Sequence, residues 1–215
     1  MNKQSKNKKF WDRYAKFYDA EVLRFSREAY EEMYRSMAKV LTKDMRVLEI
    51  ATGTGLIAIH IAKHVHSVEA TDFSTKMIDA AKKKKTPENV HFSVADGENL
   101  SFGDHSFDAV IISNALHIMP NPEMVLASIR RVLKPGGLLI APTFSHGHLS
   151  DSAWKLNRFI LKIIGFEAQS KWTPEEFVDM IGQNGFTVTG CRVLKAAFPL
   201  VYLEAVALNF MPCKE

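Results

Sequence analysis

The chain has 215 residues, of which 47% are hydrophobic and 24% charged, and its formal net charge is +4. This length fits one domain, or one domain with a modest appendage, and the composition is ordinary for a globular protein. No apolar run reaches about 18 residues, which argues against a transmembrane helix. Cys191 and Cys213 are too few for a disulfide framework or a zinc set.

The first predicted element is helical and covers residues 10–41. Phe10, Tyr14, Phe17 and Tyr18 follow the spacing i, i+4, i+7 and i+8, so they share one face of a helix. The preceding segment, MNKQSKNKKF, is basic, but charged residues rather than an apolar stretch follow it. The N-terminal segment therefore does not have the pattern of a signal peptide, and we expect a cytoplasmic protein.

Short apolar runs and helical patterns then alternate along the chain. The predicted strands are 46–50, 67–71, 90–95, 107–113 and 138–144. The predicted helices are 56–63, 74–85 with Ser74 as the N-cap, and 122–133, and the KPGG motif at 134–137 predicts a turn. Short apolar runs without alternation are typical of a sheet that is covered on both faces. The pattern therefore predicts an α/β fold with a doubly wound, mostly parallel sheet.

The last third of the chain has a different pattern. Helices are predicted at 151–164 and 173–184, and two alternating strands at 187–194 and 202–208. Thr173 followed by proline and two glutamates is typical of a helix start. We expect a single domain, 1–215, with a helical cap (1–41), a core (42–144), acceptor-side helices (145–185) and C-terminal strands (186–215).

Four polar features follow predicted strands, and in open α/β sheets ligands bind at this edge. The first is the turn from Ala51 to Gly55, in which glycines let backbone approach a ligand closely. Asp72 ends the second strand, and its two oxygens suit the two hydroxyls of a ribose. Asp96 ends the third strand and can accept a hydrogen bond from an exocyclic amine. Ser113 and Asn114 end the fourth.

The turn itself is compatible with two cofactor classes. Residues 53–58 fit the pattern G-x-G-x-x-A, which also occurs in nicotinamide and flavin enzymes. Glu49, just before the turn, would oppose a pyrophosphate and suit a cationic ligand, although it could instead cap backbone amides. No Lys-Ser/Thr pair follows the glycines, which argues against a triphosphate-binding loop.

Four segments in this order and spacing carry a family resemblance. They are VLEIATGTG, VEATDFSTKMIDAAKKK, VADGENLSFGDHSFDAVIISNALH and IRRVLKPGGLLIAPTF. Together they resemble the class I S-adenosylmethionine-dependent methyltransferases, in particular the ubiquinone/menaquinone-type and small-molecule branch. The resemblance runs from about Phe10 to Phe144 and implies a Rossmann-like sheet of seven strands with antiparallel C-terminal strands. Ala51 departs from the family, which usually has glycine there.

The resemblance also implies roles for individual residues around S-adenosylmethionine. Glu49 would act near the amino group of the cofactor, and Asp72 would hold its ribose. Ala51, Gly53 and Gly55 would form the close approach to its methionyl and ribosyl part. The remaining cofactor residues would be Phe73 and Met77 beside adenine, Asp96 with Gly97 and Glu98 at the adenine amine, and Asn114 through its backbone carbonyl. Tyr14 and Tyr18 are candidates on other grounds, because aromatic faces attract a cation such as the sulfonium, and plain packing of the amphipathic helix is the alternative.

Methyl transfer needs an acceptor site, and the sequence gives candidates for it. His117, three residues past Asn114, is the candidate base or acceptor-positioning residue, with a rim histidine as the plainer interpretation. Residues 142–175 would build the acceptor pocket, in which Trp154, Phe159 and Trp172 would provide apolar walls. His146 and His148 lack the further ligands that a metal site needs, so no metal is predicted.

Several functions stay open at this stage. The first is methylation of a small, partly apolar acceptor at O, N, S or C. The second is a membrane-surface enzyme for lipids or quinones, which the basic start and aromatic first helix permit. The third, RNA methylation, lacks the aromatic-proline tetrad after the fourth strand, so nucleic acid is disfavoured. A nicotinamide oxidoreductase and a protein that only binds the cofactor complete the set.

Overall fold

Three helices precede the sheet. The structure, a computed structural model, describes residues 3–145, 170–194 and 200–208. The helices are α1 (Lys3–Tyr14), α2 (Tyr18–Phe25) and α3 (Arg27–Val40), where the pattern predicted helix throughout 10–41. The amide of Phe17 donates to the carbonyl of Tyr14 at 2.9 Å, which closes a tight turn after α1. Ser26 has φ −133° and ψ 13°, outside helical values, and therefore separates α2 from α3.

The described residues form one eight-stranded sheet. Its strands are β1 (Arg46–Ile50), β2 (Ser67–Asp72), β3 (Val90–Val94), β4 (Phe107–Ile112), β5 (Leu133–Ile140), β6 (Thr143–Phe144), β7 (Phe186–Leu194) and β8 (Leu200–Ala207). The order is β3-β2-β1-β4-β5-β8, and β8 also pairs with β6 and β7. The first five strands are parallel, and β8 is antiparallel to all its partners. The predicted Rossmann-like fold is confirmed, with the two-residue β6 as an addition.

Within the described residues, four helices flank the strands, and two of them begin at the predicted N-caps. They are α4 (Leu56–Ile61), α5 (Thr75–Lys82), α6 (Pro122–Val132) and α7 (Pro174–Gln183). The hydroxyl of Ser74 accepts from the amide of Met77 at 3.1 Å, which confirms the predicted N-cap of α5. Thr173 and Glu176 form a reciprocal capping box at α7.

The predicted turn at 134–137 does not come before the strand, because these residues lie inside β5. Between two paired positions, Phe107 with Leu133 and Ala109 with Leu138, four residues of β5 stand opposite one residue of β4, so the register of the pair shifts at the motif. Gly136 has φ +73°, a conformation that glycine adopts without strain. The glycines therefore bend a strand that continues, rather than ending one.

Both faces of the sheet are buried. Leu48 and Ile50 of β1 belong to one apolar cluster, which includes residues of α6 and α7. Val47 of β1 and Ile111 of β4 belong to a second cluster on the other face, with residues of α3 and α4. Each of these fully buried aliphatic side chains stabilises the fold by about 1.5–3 kcal/mol. Among residues 3–145, 170–194 and 200–208, no helix is long and apolar enough to cross a membrane.

Candidate functional site

A crevice opens at the carboxyl ends of β1, β2 and β4, beneath the N-terminal helices. Its volume is about 900 Å³, counted with the open space at its mouth. The predicted cofactor residues that line it are Tyr18, Ala51, Gly53, Asp72, Phe73, Met77, Asp96, Gly97, Glu98 and Asn114. The parallel strands bring these residues together because all their carboxyl ends meet at one edge of the sheet.

The turn after β1 has an unusual backbone. Ala51, Gly53 and Gly55 all have positive φ, at 54°, 57° and 79°. Gly53 and Gly55 tolerate this conformation, whereas an alanine pays about 1–2 kcal/mol for it. A Cβ on Gly53 would lie 3.6 Å from the ring of Tyr18, so the turn runs directly beneath that aromatic side chain. Gly55 lines no part of the crevice and instead begins α4.

Asp72 connects the end of β2 to the turn. Its Oδ2 accepts a hydrogen bond from the amide of Gly53, and its Oδ1 accepts one from the amide of Ser74, each at 2.8 Å. Burial raises the pKa of Asp72 to about 6, and the two amide hydrogen bonds oppose that rise. A carboxylate oxygen has more than one acceptor position, so both oxygens retain capacity for a ligand hydroxyl.

The other end of the crevice is mainly apolar. Phe73 and Met77 line it, and the sequence interpretation missed four further apolar lining residues, which are Ile118, Met119, Pro120 and Val125. These residues come from the segment after β4 and from α6, which no short motif marks. A flat aromatic ligand group suits such a slot.

Two carboxylates lie at this apolar end. The Oδ1 of Asp96 accepts from the amide of Glu98 at 3.0 Å. Glu98 turns its own carboxylate to the Nδ2 of Asn121, with both oxygens at 3.1 Å, and thereby supports the start of α6. Asp96 is therefore the better placed of the two for a ligand amine.

The end of β4 contributes two buried oxygens to the crevice. The Oγ of Ser113 and the Oδ1 of Asn114 are buried, and neither has a hydrogen-bond partner among the described residues. Asn114 has φ 53°, and its amide donates to the carbonyl of Pro142 at 2.7 Å, which fixes this conformation. A buried acceptor without a partner is costly. The crevice therefore fits a ligand that brings N–H or O–H donors, as S-adenosylmethionine does.

Glu49 and Tyr14 lie outside the crevice lining. Glu49 is 2% exposed, and its Oε2 accepts from the hydroxyl of Thr52 at 2.6 Å. Burial raises the pKa of Glu49 to about 8, although Thr52 and the backbone of Ala58 oppose the rise. Tyr14 stacks on Phe10 with ring centroids 5.4 Å apart. A cofactor contact of Glu49 or Tyr14 stays a prediction.

His117 is buried beside the crevice rather than in its wall. It lies in a short 3-10 helix (Leu116–Ile118) and is 4% exposed. Its Nδ1 is 3.0 Å from the Oγ1 of Thr143, and its ring is 6.1 Å from that of Phe144. The contact with Thr143 fixes the orientation of the imidazole, and a catalytic role stays a prediction.

The structure describes only part of the predicted acceptor pocket. His146, His148, Trp154 and Phe159 lie outside the described residues. Trp172 is described, and its ring packs against Phe177 with centroids 5.5 Å apart. Within the described ranges, no group of three or more His, Cys, Asp or Glu side chains could hold a metal ion.

Comparisons with known proteins place this geometry in a family. The family model described as "Methyltransferase domain" matches residues 48–141. The demethylmenaquinone methyltransferase of Staphylococcus haemolyticus is 35% identical over 181 residues, which cover 78% of this chain and 74% of that protein. The chain belongs to the class I S-adenosylmethionine-dependent methyltransferases. Its cofactor is S-adenosylmethionine.

Further relatives agree with this assignment but match over different lengths. The demethylmenaquinone methyltransferase of Renibacterium salmoninarum is 41% identical over 101 residues, which are 47% of this methyltransferase and 42% of the relative. Matches to two other demethylmenaquinone methyltransferases, of Paenarthrobacter aurescens and Clavibacter sepedonicus, cover 39% and 41% of the length of those relatives. A methyltransferase solved in complex with the Haloferax volcanii Trm112 activator has the same fold, with a TM-score of 0.81, 17% identity, and coverage of 95% of this chain and 99% of that one.

Proposed function

We propose that this methyltransferase transfers a methyl group to a small, partly apolar acceptor by direct in-line displacement. The observation that carries the proposal is the crevice, in which Asp72, the strained turn and the unpaired oxygens of Ser113 and Asn114 converge. When bound, the cofactor supplies a methyl group on a sulfonium, which is already an activated leaving group. The chain's own residues then have to bind, orient and exclude water.

Six residues of the crevice lining receive a role from their position in this proposal. Asp72 would hold the ribose hydroxyls with the acceptor positions that its amide hydrogen bonds leave. Phe73 and Met77 would flank the adenine, and Asp96 would accept from its amine. Ser113 and Asn114 would accept from the donors of the methionyl part. Support comes from their shared lining of one crevice.

The acceptor that we propose first is a quinol-type aromatic ring. Support comes from the relatives, which are named demethylmenaquinone methyltransferases and quinone biosynthesis C-methyltransferases. His117 would position the acceptor or take its proton, with its imidazole held by Thr143. A proton acceptor is needed only when the attacking atom loses a proton during transfer.

The experiment is a transfer assay with methyl-labelled S-adenosylmethionine and a panel of acceptors. The panel contains demethylmenaquinol, a simple phenol, an aliphatic amine and a thiol, and the organic extract is counted for label. We expect label in the quinol-type product and release of S-adenosylhomocysteine. Calorimetric binding of NADH but not of S-adenosylmethionine would reject the proposal.

We propose a membrane-surface acceptor as the second candidate. Phe17, between α1 and α2, is 64% exposed, and the neighbouring Lys16 is exposed as well. An exposed aromatic ring beside a cation is typical of a contact with the bilayer interface. Co-sedimentation with phosphatidylglycerol vesicles tests this, and Phe17→Ser should weaken it. Equal sedimentation of both proteins would reject a role for Phe17.

A further inference from the structure

Helices α1 and α2 together form a strap (Lys3–Phe25) that lies across the crevice. Lys8, Trp11 and Tyr18 of the strap contribute to the crevice lining. A ligand in the crevice is therefore covered in part by the strap. Whatever attaches the strap to the core then affects how the cofactor enters and leaves.

The first attachment is made by Asp12 at the start of α5. Its Oδ1 accepts from the hydroxyl of Ser74 at 2.5 Å and lies 3.4 Å from the amide of Lys76. A carboxylate at a helix N-terminus is favoured by the unpaired amides and the helix dipole. Nearby, the Nζ of Lys8 lies 5.2 Å from the ring centroid of Phe73. The strap is thus fixed at the edge where Asp72 and Phe73 lie.

The second attachment is made by Asp19 and reaches the turn itself. One carboxylate oxygen of Asp19 accepts from the hydroxyl of Thr54, which is 1% exposed. The other oxygen lies 2.5 Å from the Nζ of Lys84. The preceding residue, Tyr18, places its ring over Gly53. Two successive residues of α2 therefore contact the turn that follows β1.

Lys84 differs from the other members of the lysine run 82–85. Its side chain is 26% exposed and pairs with Asp19, whereas Lys82, Lys83 and Lys85 are exposed. One lysine of the run therefore has a specific partner on the strap, and Lys83 offers a control of the same type.

We propose that Asp19 is a positioning residue for the cofactor, because its contacts with Thr54 and Lys84 hold the strap closed over the crevice. The inference rests on the proposed cofactor site. The cofactor's apparent affinity is its affinity for the closed state multiplied by the closed fraction. Weakening the Asp19 attachment lowers that fraction, so the affinity falls and dissociation becomes faster.

Three variants remove the attachment in different ways. Asp19→Asn removes the charge with little change of shape, Thr54→Val removes the hydroxyl donor, and Lys84→Met removes the cation. We expect the first two to weaken S-adenosylhomocysteine binding by about 10- to 100-fold, the scale of a hydrogen bond to a charged group. We expect about 3-fold for Lys84→Met, since a partly exposed ion pair contributes less. Lys83→Met is the matched control and should bind as the unchanged protein does.

The measurement is S-adenosylhomocysteine titration by calorimetry, with dissociation followed by stopped-flow fluorescence of Trp11. Thr54→Ser keeps the hydroxyl and should restore affinity. The double variant Asp19→Asn with Thr54→Val should lose less affinity than the sum of the two single losses, since both substitutions weaken the contact between these two residues. Binding needs no acceptor, so the result is independent of the acceptor's identity.

The outcomes separate this inference from the proposed function. If the unchanged protein binds no S-adenosylhomocysteine, the proposed function fails. If it binds and Asp19→Asn binds equally well with the same dissociation rate, the positioning role is overturned. A lower melting temperature of Asp19→Asn without a change in affinity overturns it too. If Asp19→Asn does not fold, Thr54→Val compared with Thr54→Ser decides the question.

Discussion

The substitution Asp72→Asn tests the site most directly. Both carboxylate oxygens of Asp72 accept backbone hydrogen bonds, from Gly53 and from Ser74 at 2.8 Å each. An asparagine has only one oxygen, so its amino group must face one of these N–H donors. The variant therefore loses one hydrogen bond to a charged group, about 1.5–3 kcal/mol, and leaves an amide without a partner.

The loss should appear in cofactor binding, because the turn and the ribose contact share this carboxylate. A cost of about 3 kcal/mol corresponds to roughly a 100-fold weaker affinity. The pH dependence has a defined sign as well. Burial raises the pKa of Asp72 to about 6 in the free protein. A cationic ligand lowers that pKa, so affinity should rise as pH increases toward 6 and should level off above it.

The assay is calorimetric titration with S-adenosylmethionine from pH 5 to pH 8. Asp79→Asn is the matched control, since it removes a carboxylate of α5 that is 51% exposed and lies 3.8 Å from the Nζ of Lys76. The control should bind normally, and Asp72→Asn should bind weakly without a step near pH 6. Affinity of Asp72→Asn within about threefold of the control would refute the reasoning, because the measured loss would then be far below the cost of one charged hydrogen bond.

Three further predictions concern the turn and the carboxylate behind it. Ala51→Gly removes a left-handed alanine with φ 54°, so we expect about 1 kcal/mol of added stability, seen as a melting temperature about 2 °C higher; a lower temperature would contradict this. Burial gives Glu49 a pKa of about 8 in the folded protein, above its ordinary value of 4.5. Between these two pH values the folded state binds more protons than the unfolded state, so the free energy of unfolding falls as pH rises from 4.5 to 8. The total fall is at most roughly 5 kcal/mol. The stability of Glu49→Gln relative to the unchanged protein should therefore increase as pH rises from 5 to 8. A difference in urea midpoint between the two proteins that is the same at pH 5 and pH 8 would contradict this. Gly55→Ala would place a Cβ 2.5 Å from the ring of Phe92, at a residue whose φ is +79°. The melting temperature of this variant, measured by calorimetry, should therefore fall. Adding Phe92→Leu should recover part of the loss.

Local sequence patterns were sufficient for much of the fold. The parallel strands were recognised because buried strands read as short apolar runs, and Ser74 and Thr173 were recognised as N-caps because capping depends on neighbours three residues away. The crevice edge was also predictable, since Asp72, Asp96 and Asn114 each follow a strand. The position of residues 134–137 inside β5 was not, because proline and glycine fit a turn and an irregular strand equally well.

Contacts between distant parts of the chain were decided only by the tertiary structure. The hydrogen bond between Glu49 and Thr52 depends on which face of β1 packs against α3 and α4. The pairing of Asp19 with Lys84 joins residues 65 positions apart, and no local pattern selects one lysine from a run of four. The sequence alone thus determined the strands, the caps and the positions of the acidic residues, because these follow from short-range geometry. Packing decided which side chains meet, because that choice depends on how whole helices dock.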